Sequence, residues 1–126
     1  MRPRTLSEVA SLTLAGDSFD RCLANFLDEF YGMPDAAMLA PEPPLLAPAQ
    51  GEMGRVRDAY LAATAEELAR RTNVRVPAWI DAEERKLHRP WFASNLAALR
   101  AVLLVESPAG FRARNLFVSE NALSRA

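Results

Sequence analysis

The stretch that decides the fold runs from residue 19 to residue 30 and reads FDRCLANFLDEF. Its apolar residues recur at steps of three, one, three, one and three: Phe19, Cys22, Leu23, Phe26, Leu27 and Phe30. This spacing places them on one stripe of a 3.6-residue helix, with polar residues at the remaining positions. We therefore expect a helix, N-capped by Asp17 or Ser18, that packs on the core through three aromatic rings.

Shorter helices are predicted on both sides of this one. Thr5 and Glu8 have the spacing of a capping box, which predicts a helix from there to about Leu14. Gly32 is typical of a helix C-terminus, and Pro34 suits the first turn of a further short helical segment.

A Pro-rich stretch, residues 41–51, precedes the longest predicted helix. Its four prolines exclude a regular helix or a central strand. We interpret it as a loop pinned to its own domain by Leu45 and Leu46, although a polyproline ligand for another module stays open. The helix that follows is predicted over 53–72. Its inward face is predicted to carry Met53, Val56, Tyr60, Ala63 and Leu68, and its outward face Arg55, Arg57, Asp58, Glu66, Glu67, Arg70 and Arg71.

The C-terminal half begins with two irregular segments. Residues 74–79 alternate like a strand but are too short to make a sheet alone, so we expect an extended segment that covers the core. A polar helical turn follows over 81–87. The next helix, capped by Ser94 or Asn95, is apolar nearly all round as far as Leu104, which predicts that it is the central helix.

One more helix and a tail complete the predicted fold. The last helix is expected to start at Pro108 and to run towards Val118, and residues 119–126 either cap it or form a disordered tail. The prediction is an all-α protein, a compact bundle of about five to six helices. It forms one domain over 1–126, with the Pro-rich loop 41–51 inside it.

The composition is that of an ordinary globular protein. Half of the residues are hydrophobic and a quarter are charged, which is far from the composition of disordered chains. The only cysteine, Cys22, lies in an apolar stripe and fits a reducing compartment, so a cytoplasmic location is expected. No apolar run approaches the roughly 18 residues that span a bilayer, and no apolar segment follows the basic start, so neither membrane anchor nor signal peptide is expected.

The net charge of −1 argues against strong phosphate binding. The charge is unevenly distributed, however: residues 17–52 hold seven acids and one base, whereas residues 53–126 hold twelve bases and eight acids. This split could produce an acidic and a basic face, or the two halves could neutralise each other across the fold. Nucleic-acid binding by the Arg-rich C-terminal half is thus an alternative, although neither a helix-turn-helix nor a basic recognition helix is present.

The sequence lacks the parts of most catalytic sites. With one histidine and one cysteine, the usual zinc patterns and histidine triads lack partners, and the five scattered glycines form no phosphate loop. No cofactor or metal is expected. His88 could act as a lone acid or base beside Glu83 or Glu84, which gives a remote enzyme hypothesis. A histidine on the surface or at a helix end is the simpler interpretation.

Residues 85–92, RKLHRPWF, form the most concentrated cationic and aromatic patch. Arginine beside exposed aromatic rings can anchor a protein interface or stack on unpaired bases. Alternatively, Trp91 and Phe92 belong to the core and leave the cations outside. A second basic cluster follows at Arg112 and Arg114, before the apolar residues 116–118.

Several stretches resemble a family of small uncharacterised bacterial proteins associated with nucleotidyltransferase-like genes, in a pairing similar to toxin and antitoxin. The resemblance lies in FLDEFY at 26–31, DAYLAATAE at 58–66, RPWF at 89–92 and RNLFVSENALSRA at 114–126. It implies a protein partner and carries no catalytic residues. Together with the cationic and aromatic patch it favours an interaction surface made of Trp79, Arg89, Trp91, Phe92, Arg112, Arg114, Asn115 and Phe117.

The leading hypothesis is therefore a non-catalytic interaction module, antitoxin-like, that masks a nucleotidyltransferase-like protein partner. Homo-oligomerisation also fits. A nucleic-acid-binding regulator and a small enzyme using His88 are the alternatives.

Overall fold

A computed structural model describes residues 2–94 and 96–125 and confirms the mostly α-helical fold. The α-helices in these residues are α1 (Leu6–Leu14), α2 (Phe19–Gly32), α3 (Ala47–Thr72), α4 (Ala97–Glu106) and α5 (Ala109–Arg112). Short 3₁₀ turns lie at Ala36–Met38, Ala78–Asp81 and Glu83–Arg85. Two strands of two residues each, β1 (Trp91–Phe92) and β2 (Leu116–Phe117), pair in parallel, and they are an addition to the predicted fold.

The first two helices form as the sequence predicts. The Thr5 hydroxyl accepts a hydrogen bond from the Glu8 amide at 3.0 Å, and the Ser18 hydroxyl accepts one from the Arg21 amide at 3.3 Å. All six residues of the apolar stripe on α2 are buried. This stripe stabilises the α1–α2 pair because each buried apolar side chain of this size contributes roughly 1.5–3 kcal/mol.

Helix α3 is the centre of the molecule. It packs against α1, α5, β2 and the 3₁₀ turns between 78 and 85, and most residues from 58 to 69 are buried. The predicted orientation of this helix was partly wrong. Met53, expected inside, is 45% exposed, whereas Asp58 and Glu67, expected outside, are buried. Both carboxylates have hydrogen-bond partners inside the protein, and these partners stabilise the buried charges. Hydropathy alone does not reveal such partners.

Helix α3 also begins earlier than predicted. Residues 47–50 form a helical turn, so only the first part of the Pro-rich stretch is extended, and Gly51 (φ 65°, ψ −138°) breaks the helix between this turn and the rest. The Asp58 carboxylate accepts hydrogen bonds from the amides of Leu46 at 2.7 Å and Ala47 at 3.1 Å. One turn earlier, Gly54 allows the same segment to approach, because a Cβ there would lie 2.5 Å from the Leu46 carbonyl oxygen.

The C-terminal region departs most from the prediction. The last helix was expected to continue towards Val118, but α5 ends at Arg112. The chain then turns at Asn115, which adopts a left-handed conformation (φ 63°) that ends the helical path. Residues 116–117 enter β2, where Leu116 pairs with Trp91 and Phe117 with Phe92.

The described part of the tail, residues 119–125, folds back onto α2. Leu123 is fully buried, and its carbonyl accepts a hydrogen bond from the Tyr31 hydroxyl at 2.8 Å. Arg125 donates to Asp28 at 2.9 Å, and Arg2 lies 3.4 Å from the same carboxylate. The two ends of the described chain therefore meet at Asp28.

Candidate interaction surface

Two of the residues predicted for the interaction surface lie inside the protein. Trp79 is 8% exposed, and its indole N–H donates to the Leu39 carbonyl at 2.9 Å. Arg114 is 3% exposed, and its guanidinium donates to Glu66 at 2.7 Å and to the Ile80 carbonyl at 3.1 Å. Both residues connect elements of the fold, so neither belongs to an exposed surface. Sequence patterns do not reveal this because the partners are distant along the chain.

Arg85 is a second buried cation, and it forms an ion pair inside the protein. Arg85 and Asp58 are both fully buried, with Arg85 Nη1 3.8 Å from Asp58 Oδ1. Arg85 also donates to the Pro43 carbonyl at 2.5 Å and lies over the Trp79 ring at 4.9 Å. Burial raises the pKa of Asp58, against the opposing effect of its backbone hydrogen bonds, and burial lowers the pKa of Arg85. Arg85 is therefore part of the fold, not of a cationic surface patch.

The other predicted residues lie at or near the surface around the small sheet. Arg89 and Arg112 are exposed, and Asn115 is half-buried, where its side-chain amide donates to the Leu87 carbonyl at 2.8 Å. Trp91 is half-buried and its amide donates to the Asn115 carbonyl at 2.8 Å. The sheet therefore holds the two predicted clusters together, although they are far apart in sequence.

Two aromatic rings stack across this sheet. The half-buried rings of Phe92 and Phe117 have centroids 5.0 Å apart and an interplanar angle of 21°. The guanidinium of Arg100, on α4, lies 5.2 Å from the Phe92 ring centroid. The strand register places Phe92 opposite Phe117, so their rings share one side of the sheet, next to α4.

The position of helix α4 was wrongly predicted from the sequence. It was expected at the centre, yet Leu103 is the buried member of this helix, held against the segment that contains β2. Its other large apolar residues are 45–80% exposed: Leu96 at the N-cap, Leu99, Val102, Leu104 and Val105. We call these five residues, together with Phe92 and Phe117, the α4 surface.

The end of α4 is fixed firmly, so the exposed apolar residues are held in place by the fold. The buried Ser107 hydroxyl has the carbonyls of Leu103 and Val118 in hydrogen-bond reach, at 2.6 and 2.9 Å, and its single proton can go to either. It also accepts a hydrogen bond from the Val118 amide at 2.8 Å. At the other end, the Leu96 amide donates to the Ser94 hydroxyl at 3.2 Å, while Asn95, the other predicted cap, lies outside the described residues.

A groove of about 580 Å³ lies between α2, α3, β1 and the tail. Its walls are mainly apolar: Phe19, Leu23, Leu27, Val56, Tyr60 and Trp91. Asp20, Arg57 and Arg125 lie among its charged lining residues. Burial raises the pKa of Tyr60 to about 12, so its hydroxyl stays protonated at neutral pH. Burial also raises the pKa of the Cys22 thiol, which makes a reactive thiolate on α2 unfavourable.

His88 is exposed and lies beside a cation. Its Nε2 is 3.3 Å from Arg55 Nη2, and the described residues place no carboxylate within ion-pair distance of it. They also contain no group of three or more histidine, cysteine, aspartate or glutamate side chains arranged to hold a metal ion. The pairing of His88 with Glu83 or Glu84 that the enzyme hypothesis needs is thus not formed in this structure.

Comparison with protein-family models, with curated proteins and with solved structures finds no match to this chain. No helix in the described residues is long and apolar enough to cross a membrane.

Proposed function

We propose that this chain is a non-catalytic protein-interaction module that binds a cognate protein through the α4 surface. The observation that carries the proposal is the exposure of five large apolar side chains on and beside one short helix. Charged groups on α4 are limited to Arg100 and Glu106. Depletion of charge with an excess of apolar side chains is the composition of an interface core.

The energetics favour an interface larger than α4 alone. The five side chains are 45–80% exposed, so covering each one stabilises a complex by roughly 1–2 kcal/mol. Association costs about 4–15 kcal/mol in lost freedom, which the five together barely offset. The rings of Phe92 and Phe117 lie on the side of the sheet next to α4 and supply further area, so the proposed interface extends from α4 onto that side of the sheet.

The proposed partner is a nucleotidyltransferase-like protein encoded beside this one. This part of the proposal rests on the sequence resemblance, and it gives the module an antitoxin-like role in the bacterial cytoplasm. The partner is expected to present an apolar groove or ridge to the α4 surface. A second copy of this chain is the competing occupant, and co-expression with the partner separates the two.

The distribution of the arginines favours a protein partner over nucleic acid. Five of the twelve bases in residues 53–126 have a carboxylate partner within the molecule: Arg70, Arg71, Arg85, Arg114 and Arg125. These five guanidiniums are engaged in ion pairs within the fold, which makes them less available to phosphates. Retention on DNA or RNA at about 50 mM salt, falling steeply with added salt, would contradict this interpretation.

Co-expression with the product of the adjacent gene, followed by size-exclusion chromatography and light scattering, tests the proposal. Wild-type protein is expected to co-elute with the partner as a stable complex. Val105→Glu, at the most exposed position of α4, is expected to separate the two proteins. Met33→Glu is the matched control, because Met33 is 78% exposed but lies at the end of α2.

Two results would contradict the proposal. Separate peaks for the wild-type pair at micromolar concentration would reject this partner. A homodimer of this chain that Val105→Glu dissociates, with no adjacent-gene product bound, would assign the α4 surface to a second copy.

A further inference from the structure

We infer that a cleft at the start of α3 is a binding site for a small oxyanion carried on an aromatic ring. The cleft has a volume of about 370 Å³ and lies between the first full turns of α3 and residues 87–91. Its lining residues are Glu52, Arg55, Val56, Leu87, His88, Arg89, Pro90 and Trp91. This volume falls within the range of about 300–1,000 Å³ that is usual for small-molecule sites. The inference does not depend on the proposed partner.

Arg55 supplies a positioned cation in this cleft. Its Nη2 donates to the Lys86 carbonyl at 2.9 Å, which fixes the guanidinium against the 3₁₀ turn at 83–85. Its Nη1 makes no hydrogen bond with the described residues and is not among the buried unpaired atoms, so it is the donor that a ligand in the cleft can reach. A guanidinium carries five donors and no acceptor. Arg55 is therefore an incompletely satisfied donor group in a cleft.

His88 adds a second donor. Its Nε2 lies 3.3 Å from Arg55 Nη2, and a guanidinium can only donate. With Nε2 as the acceptor, the neutral imidazole carries its proton on Nδ1, which is then a donor on the ring.

The arginines of the cleft lack the carboxylate partners that other arginines of this protein have. Neither Arg55 nor Arg89 has a carboxylate within ion-pair distance among the described residues, whereas Arg85 and Arg114 each have one. Glu52 is the acid in the lining, and it is exposed. Two arginines facing one solvated carboxylate leave a net positive site, which attracts an anion.

The walls of the cleft specify the rest of the ligand. Val56, Leu87 and Pro90 are apolar, and the half-buried indole of Trp91 adds an aromatic surface. An aromatic ring packs favourably on such walls, while its oxyanion reaches the guanidinium donors. Carboxylate and phosphate monoester share this chemistry, and the experiment distinguishes them.

Isothermal titration of the whole protein with phenyl phosphate, benzoate and inorganic phosphate tests the site, with tryptophan fluorescence, to which Trp79 and Trp91 both contribute, as a second readout. At least one aromatic anion is expected to bind more tightly than inorganic phosphate, and the stronger one identifies the oxyanion. Arg89→Gln is expected to weaken this binding about tenfold, the loss of one charge-assisted hydrogen bond. Arg89 is exposed, so this variant should keep the wild-type fold. Arg75→Gln, an exposed arginine outside the cleft, is expected to leave binding unchanged.

Three results would overturn the inference. The first is that neither aromatic anion binds at millimolar concentration and low salt. The second is that Arg89→Gln and Arg75→Gln lose equal affinity, and the third is that inorganic phosphate binds as tightly as the aromatic anions. The Arg55→Lys variant provides an independent check, because it keeps the charge and removes the guanidinium fork. Weaker binding with an unchanged melting temperature is expected, and unchanged binding would reject Arg55 as the anchor.

Discussion

Helices α3 and α4 contrast in a way that hydropathy does not anticipate. Helix α3 carries many charged residues and crosses the middle of the molecule, whereas α4 is almost entirely apolar and lies largely exposed. The difference comes from partners. The buried carboxylates of α3 meet Arg85, backbone amides and the Gly110 amide, whereas five large apolar side chains on and beside α4 stay 45–80% exposed.

The size of the chain explains why both helices cannot be central. A domain of this length buries only about two-thirds of the surface that its unfolded chain exposes. Its other elements therefore suffice to enclose one helix and not two. Helix α3 takes that position because it contacts α1, α5, β2 and the 3₁₀ turns. Helix α4 stays largely exposed, which is the basis of the proposed function.

The strongest test of this contrast is removal of the buried carboxylate of α3. Asp58→Ala is expected to lower the free energy of unfolding by about 3–5 kcal/mol, because it leaves Arg85 buried without its charge partner. It also leaves the Leu46 and Ala47 amides without their acceptor. Urea unfolding followed by circular dichroism measures the loss. The exposed Asp20→Ala is the control, and an equal effect of the two variants would contradict a special role for burial.

A second test compares two positions on α4. Leu103→Ala is expected to cost about 2 kcal/mol or more, because this side chain is buried against the rest of the fold. Val105→Ala, two residues away and 80% exposed, is expected to change stability by less than about 0.5 kcal/mol. Thermal melts of both variants at several protein concentrations provide the measurement. A concentration-dependent loss for Val105→Ala would show that a second copy covers α4 in solution.

A third test addresses the start of α3, where the sign of the effect is informative. Glycine to alanine in a helix normally adds up to about 1 kcal/mol of stability. Gly54→Ala is instead expected to lose about 1–3 kcal/mol, because the new Cβ would meet the backbone of Leu46 and Ala47. Gly32→Ala, at the end of α2 where an added Cβ would point into open space, is the matched control. A stabilising Gly54→Ala would mean that the turn at 47–50 does not lie against the helix.

The smallest expected effect concerns pH and compares a buried with an exposed carboxylate. The hydrogen bond from Arg125 lowers the pKa of Asp28 below its ordinary value of 3.8. Asp28 therefore stabilises the fold above pH 3.8, and this contribution is lost as the pH falls through the lowered pKa. Asp58 has the opposite sign: with its raised pKa, its contribution is greatest below pH 3.8 and decreases as the pH rises through the folded value.

Melting temperatures of wild type and Asp28→Asn between about pH 2 and pH 6 check this sign. The variant is expected to be less stable than wild type above about pH 4 and to converge with it at the acid end. A constant difference across the range would show that the Asp28 charge is not the cause. Adding salt is expected to shrink the difference, because the ion pair is exposed.

The sequence predicted the local features well and the placement of elements less well. The apolar stripe of α2 and the caps at Thr5 and Ser18 are local patterns, and the structure confirms them. The position of α4 and the burial of Asp58 depend on which elements meet in space. No spacing rule carries that information, so an all-apolar helix was wrongly predicted to be central.

The candidate surface was only partly predictable, because its make-up also depends on which elements meet in space. Arg89, Trp91, Phe92 and Phe117 were predicted from their chemistry to belong to an interaction surface, and the β1–β2 pairing brings Phe92 and Phe117 together. Trp79 and Arg114 have similar chemistry but find partners inside the fold. A sequence shows which side chains can anchor an interface, whereas only the fold shows which of them remain available.

Arg2 and Arg125 both contact the Asp28 carboxylate, which makes the chain suitable for circular permutation. Because the side chains of Arg2 and Arg125 reach the same carboxylate, a Gly-Ser linker is expected to join residues 2 and 125 without distorting the fold. The exposed turn at Gly16, between α1 and α2, offers a new opening. A circular permutant would then begin with α2 and end with α1, and its termini would lie at that turn, leaving the Asp28 region covalently closed.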